Sequence, residues 1–233
     1  MLDVTALVGK ELQPGIEMRA QISTQGGGAA ANVASWLATH GSQAYMVARV
    51  GDDPAGKTVI SELDRFGVEH SHRVIEGART GVVIVLVDGL GERTMFPDSG
   101  ANAGIGPDDL PDLDGFDAVY ISGYSLVNPD SRSGIQSIIK LVQEKKIPIA
   151  FDPSTVGVLL EVGVGKVREW LGDMDLILLN EEEAQFLTGF SNPVEAASEL
   201  STFAETVVIK RGSLGALAIT RGGNAVQVEA LPT

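Results

Sequence analysis

The chain has 233 residues, a formal net charge of −14 and a hydrophobic fraction of 44%, ample apolar material for a buried core. The acidic balance argues against nucleic acid and anionic membrane surfaces, both bound through basic patches. The absence of cysteine excludes disulfides, thiolate metal sites and thiol catalysis. The opening residues MLDVTALVGKELQPG have no basic start followed by a sustained apolar run, so a soluble, cytoplasmic protein is expected.

In chain order, AQIST reads as a poor buried strand, and GGGAAANVASWLATHG as a glycine-rich turn entering a helix. QAYMVARV reads as a strand, followed by a helix around Thr58–Phe66. GVVIVLVDGLGERTMF reads as two strands joined at Asp88–Gly91, a β-hairpin with lid strands within about 79–97. Such an insertion serves either as a flap over a site or as an edge extension, and pattern alone does not choose. DAVYIS precedes a helix around Ser131–Lys145, in which Ile135, Ile138, Ile139 and Val142 recur at helical spacing. IPIAFDP leads into a helical region at Val156–Leu171, DLILLN into EEEAQFLTG, and ETVVIKRG into the strands GALAIT and AVQVEAL. Short apolar strands alternating with helices predict one α/β domain over 1–233, with a mostly parallel sheet covered on both faces.

Two short motifs compete for the function. Gly51–Thr58 (GDDPAGKT) satisfies G-x-x-x-x-G-K-[ST] between a strand and a helix, the setting a P-loop requires. A phosphate cradle needs converging N–H groups, yet this loop contains Asp52, Asp53 and Pro54, two anions and a residue with no N–H. The other reading is a turn whose Asp residues favour a helix N-terminus. Gly26, Gly28 and Ala31 match a dinucleotide fingerprint without the strand and acidic residue it needs. His70 and His72 are spaced to share a strand face but have no third metal ligand nearby, and Trp36 and Trp170 read as core. SGYSLVN is not a nucleophile elbow.

Together the pieces resemble the PfkB/ribokinase family of carbohydrate kinases. Gly27, Gly28, Asn32 and the turn Gly51-Asp52-Asp53-Pro54-Ala55-Gly56 match its first signature. Thr80–Gly81, Gly91–Thr94, Gly100–Asn102, Ser122–Tyr124, Phe151–Pro153, Asn180–Gly189 and Val207–Leu217 follow in family order. The resemblance implies a ribokinase-like three-layer α/β/α sandwich with a small β-hairpin lid. It also implies ATP-dependent phosphorylation of a sugar or nucleoside hydroxyl, with magnesium, and a homodimer through the lid. On this reading the P-loop match is accidental.

The resemblance assigns acceptor binding to Asp3, Gly27, Gly28 and Asn32, with the two glycines admitting close backbone approach. It places Asn180, Glu183, Lys210 and Gly212 on the nucleotide side, with Glu183 holding magnesium through water. Asn180-x-x-Glu183 is equally a capping box on its residues alone. Asp152 ends a strand where α/β sites form, although Ser154 replaces the asparagine often found beside it. The family's late D-T-x-G-A-G-D motif supplies the anion hole and the base. No G-A-G-D occurs in these 233 residues, so the expectation is a C-terminally incomplete kinase, inactive as given and with a clipped start. The alternatives are a non-catalytic sugar- or nucleoside-binding protein on the kinase fold, and a P-loop NTPase using Gly51–Thr58.

Overall fold

The computed structural model describes residues 1–11, 15–71 and 73–231. The chain forms two compact units, Met1–Pro111 and Asp112–Thr233.

The first unit opens with strands β1 (Leu2–Leu7) and β2 (Gln21–Gly26), followed by helix α1 (Ala29–Thr39). Then come β3 (Tyr45–Met46), β4 (Arg49–Gly51), helix α2 (Pro54–Arg65), β5 (Glu69–His70) and β6 (Arg73–Ile75). Strands β7 (Thr80–Val87) and β8 (Arg93–Gly100) complete the unit's sheets. β3 pairs with β5 and β4 with β6, both parallel. The expected strand QAYMVARV is thus two short strands rather than one.

The hairpin is present, and its turn is built by Asp88, whose Oδ1 accepts the N–H groups of Leu90 and Glu92. It is not an isolated flap. β7 and β8 belong to a four-stranded sheet of order β2-β1-β7-β8, in which β1 runs parallel to β7 and antiparallel to β2. AQIST, too polar for a buried strand, is the exposed edge strand β2. Residues paired across a sheet point to the same side. Asp3, Thr5, Ser23 and Gln25 therefore share one face, and Val4, Ala6, Ile22, Ile84, Leu86 and Phe96 the other. At the root of that apolar face, Leu2 packs on a core of Ala31, Ala34, Val59 and Leu63 from α1 and α2.

The second unit carries β9 (Val119–Ser122), helices α3 (Gly123–Val127) and α4 (Pro129–Glu144), and β10 (Ile149–Asp152). It continues with α5 (Val156–Val162), α6 (Val164–Leu171), β11 (Leu176–Asn180), α7 (Glu181–Thr188) and α8 (Pro193–Leu200). β12 (Thr206–Lys210), β13 (Ala216–Thr220) and β14 (Val226–Val228) close it. The sheet order is β14-β13-β12-β11-β10-β9, parallel from β9 to β12 and antiparallel from there to β14. Helix α4 buries Ile135, Ile138, Ile139 and Val142 as the periodicity predicts. The Val156–Leu171 region is two helices, because Gly163 at φ 81° breaks it. Ile149, Phe151, Ile177, Leu179, Val207, Ile209 and Leu217 form a fully covered sheet face. Alternate residues such as Ala150, Leu178 and Val208 are only partly buried. Asp152, Asn180 and Lys210 continue that second face at the carboxyl ends of β10, β11 and β12.

Candidate active site

In the first unit Asp3, Gly27 and Gly28 meet at the junction of β1, β2 and α1, with Asn32 one turn along α1. Asp3 lies in the middle strand region of the sheet, paired with Gln25 and Val83. The Gly28 N–H donates to its carboxylate. Burial pushes the Asp3 carboxyl up from its ordinary value, opposed by the N-terminal ammonium and the Gly28 N–H. Asp3 Oδ1 is buried and has no hydrogen-bond partner, which leaves it open to a donor from water or a ligand.

Gly27 is fixed by the same residue. A Cβ there would lie 2.0 Å from Asp3 Oδ2, so only glycine allows the carboxylate to lean on the backbone. Gly28, at φ 99°, is the N-cap of α1, a conformation that L side chains avoid. Asn32 sits one turn on, its N–H donating to Gly28 O at 3.0 Å. It is exposed and, with Gly27, lines a cavity of about 300 Å³ between α1 and α2. Trp36 lines the same cavity and is 67% exposed. That corrects its reading as a core residue. Trp170 is in the core at 3% exposure.

The P-loop alternative is answered by the same unit. Asp53 is the N-cap of α2, and its Oδ1 accepts the Gly56 N–H at 2.8 Å. Its two oxygens also accept the Thr80 N–H at 2.8 Å and the Thr80 hydroxyl at 2.6 Å. These bonds, the hydroxyl's first, hold the Asp53 carboxyl below the usual range. The Gly56 N–H, one a phosphate cradle would use, is thus taken by the loop's own anion. Lys57 points to solvent. His70 is buried and bonded to Asp64 at 3.1 Å, while His72 lies outside the described residues. Among the described residues no cluster of three metal-ligating side chains occurs.

In the second unit three strand ends and the first turn of α7 build a charged cluster. Asn180 and Glu183 form a full capping box. Asn180 Oδ1 accepts the Glu183 N–H, and the Asn180 N–H and amide donate to the Glu183 oxygens, all at 2.8 Å. Glu183 is 1% exposed and its carboxyl is pushed up to about 7. Burial is the main cause, reinforced by Asp152 and Glu182, while the Asn180 N–H and Lys210 pull the other way. Lys210 Nζ meets Asp152 Oδ2 at 2.7 Å, and Gly212 turns the chain after β12 at φ 54°.

Three further residues border this cluster, of which Tyr120 carried no distinct sequence signal. Burial first, and then Asp152 and Glu183, raise the hydroxyls of Tyr120 and Tyr124 above the ordinary tyrosine value. Ser154, at φ 92°, donates its N–H to Asp152 Oδ1 and accepts the Tyr124 N–H. The alternation in VYISGY places Tyr120 beside a strand end, but any half-buried strand shows that alternation.

Residues 2–233 match the pfkB family carbohydrate kinase. The chain belongs to that family. It is 29% identical over 231 residues to an ATP-dependent ribose-1-phosphate kinase of Halopiger xanaduensis, covering 96% of this chain and 72% of that one. An adenosine kinase from Sinorhizobium meliloti superposes with a TM-score of 0.86 at 19% identity, over 100% of this chain and 78% of its own. Ribokinase of Arabidopsis thaliana complexed with ribose and ATP gives 0.78 at 23%, over 99% and 75%. These structures establish the ribokinase-like fold. Seven curated relatives are spanned over 56% to 77% of their lengths.

Proposed function

We propose that this chain carries the acceptor site and the magnesium-binding side of an ATP-dependent kinase acting on a sugar or nucleoside hydroxyl. The observation that carries the reading is the unpartnered Asp3 Oδ1, buried where the Asp3 carboxylate packs on Gly27. A carboxylate accepts from hydroxyls, and the Asn32 amide both donates and accepts, a combination suited to a polyol. Relatives described as a ribose-1-phosphate kinase and a fructokinase support the class of substrate.

On the nucleotide side, Asp152 and Glu183 offer two carboxylates beside the cation Lys210. Magnesium keeps several waters and takes one or two carboxylates beside phosphate oxygens, so this donor set fits an ion held through water by Glu183. The ion would neutralise phosphate charge, while Lys210 and the Gly212 turn face the nucleotide. A base of the G-A-G-D type is not among these 233 residues, and the 233 residues on their own are proposed to bind sugar without turnover. The apolar sheet face, where Ile22, Ile84 and Phe96 are 70%, 46% and 54% exposed, is proposed to pair with a second copy, since contiguous exposed apolar surface marks association sites. A cytoplasmic setting accords with the use of ATP.

The test is calorimetric titration of the 233-residue protein with D-fructose, D-ribose, ribose 1-phosphate and adenosine. At least one should bind, and Asn32→Ala should weaken it while leaving magnesium-nucleotide binding unchanged. Buried hydroxyl bonds lost this way cost about 1–3 kcal/mol each. Unchanged affinity, or no binding at all, contradicts the acceptor site.

A further inference from the structure

Helix α2 grips the sheet that carries Asp3 at two points. At its start, Asp53 binds both the N–H and the hydroxyl of Thr80, the first residue of β7. The Thr80 hydroxyl in turn accepts the Gly51 N–H at 2.9 Å, and Thr80 is only 4% exposed. Near its end, Glu62 Oε2 accepts the N–H of Gly26, the last residue of β2, at 2.9 Å. In the order β2-β1-β7 the strand bearing Asp3 lies between the two gripped strands. Helix α2 also packs against all three.

The first grip exceeds what a helix end requires. One oxygen of Asp53 suffices to cap α2 through the Gly56 N–H. The second oxygen, and both donors of Thr80, serve the sheet. The surrounding backbone leaves no slack. A Cβ on Gly51 would lie 2.2 Å from Ala78 O, one on Gly56 2.4 Å from Gly51 O, and one on Gly100 2.5 Å from Arg79 O.

We propose that α2 is a strut that sets the position of β1, and that Asp53 is a positioning residue for the acceptor, acting through Asp3. The G-D-D-x-x-G turn, whose letters imitate a phosphate cradle, is on this account the fastening of the Asp3-bearing sheet. The proposal rests on the acceptor reading given above. It concerns binding of the acceptor and not the phosphate.

Asp53→Asn separates the two duties. Asparagine caps a helix as well as aspartate does, and its one carbonyl oxygen keeps the Gly56 N–H. The same oxygen keeps the Thr80 hydroxyl, while the amide nitrogen, in the place of Oδ2, is a donor set against the Thr80 N–H. The affinity of the tightest-binding of D-fructose, D-ribose, ribose 1-phosphate and adenosine is measured by calorimetry on the 233-residue protein. Asp53→Asn should weaken it about tenfold, equivalent to 1.4 kcal/mol. Thr80→Val should do the same, and Thr80→Ser should restore wild-type affinity.

A double-mutant cycle shows whether the effect passes through Asp3. In an Asp3→Ala background, Asp53→Asn should cost nothing further, whereas an additive loss overturns the proposal. If Asp3→Ala weakens binding and Asp53→Asn does not, the strut alone is refuted. If Asp3→Ala has no effect, or none of the four ligands binds, the acceptor reading falls and the strut with it.

Discussion

Glu183→Gln tests the charged cluster of the second unit through the pH dependence of folding. The carboxyl of Glu183 moves from 4.5 to about 7 on folding, so the folded state holds its proton more tightly than the unfolded chain. The stability this contributes is fully present below about 4.5 and is lost as pH rises through about 7. At about 1.4 kcal/mol per pH unit, raising the pH from 5 to 8 should cost the wild type about 2.5 kcal/mol through this one group. Glutamine does not titrate, and its amide nitrogen sacrifices one bond of the capping box, at about 1 kcal/mol at every pH. Urea unfolding of both proteins at pH 5, 6, 7 and 8 isolates the linked part, because other groups cancel in the difference. The variant should be less stable than the wild type at pH 5 and gain on it by about 2.5 kcal/mol by pH 8. Parallel profiles would refute the argument that burial and Asp152 burden this carboxylate.

Gly27→Ala would place a Cβ 2.0 Å from Asp3 Oδ2. It should destabilise the first unit by about 1–3 kcal/mol and abolish sugar binding, and a variant that binds as the wild type does would show that Asp3 is not held there. Lys57→Ala should leave nucleotide affinity within about twofold, and a loss of tenfold, about 1.4 kcal/mol, with the fold intact would revive the P-loop reading. Phe96→Asp should shift a dimer towards monomer in sedimentation, and a wild type that is monomeric at high concentration refutes the sheet-face contact. A coupled ADP-release assay on the 233-residue protein should stay at background with every sugar. Robust turnover would put the base among the residues present, with Asp152 the first to replace.

The alternation of buried strands and helices was legible because their apolar runs are strong. Ile149 and Phe151, Ile177 and Leu179, and Val207 and Ile209 all lie on the covered sheet face. The first unit was harder. β2 is a polar, exposed edge strand, and its partnership with β1 and the hairpin depends on long-range pairing that no local pattern encodes. Two short readings turned on local chemistry. Letters in GDDPAGKT do not reveal that Asp53 turns back on its own helix and on Thr80. Nor does helical spacing show which face of α1 is covered, which left Trp36 misread. The candidate site residues Gly27, Gly28, Asn32, Asn180 and Glu183 were chosen because they stand at family spacing. Tyr120 and Glu62 enter only through the fold.

Amide-resolved NMR titration tests the central claim most directly. Added sugar should shift the amides of Gly27, Gly28 and Asn32, and a magnesium-nucleotide should shift those of Asn180, Glu183, Lys210 and Gly212 while leaving Gly51–Thr58 unmoved. Nucleotide-dependent shifts centred on Gly51–Thr58, or sugar shifts that bypass Gly27–Asn32, would contradict it.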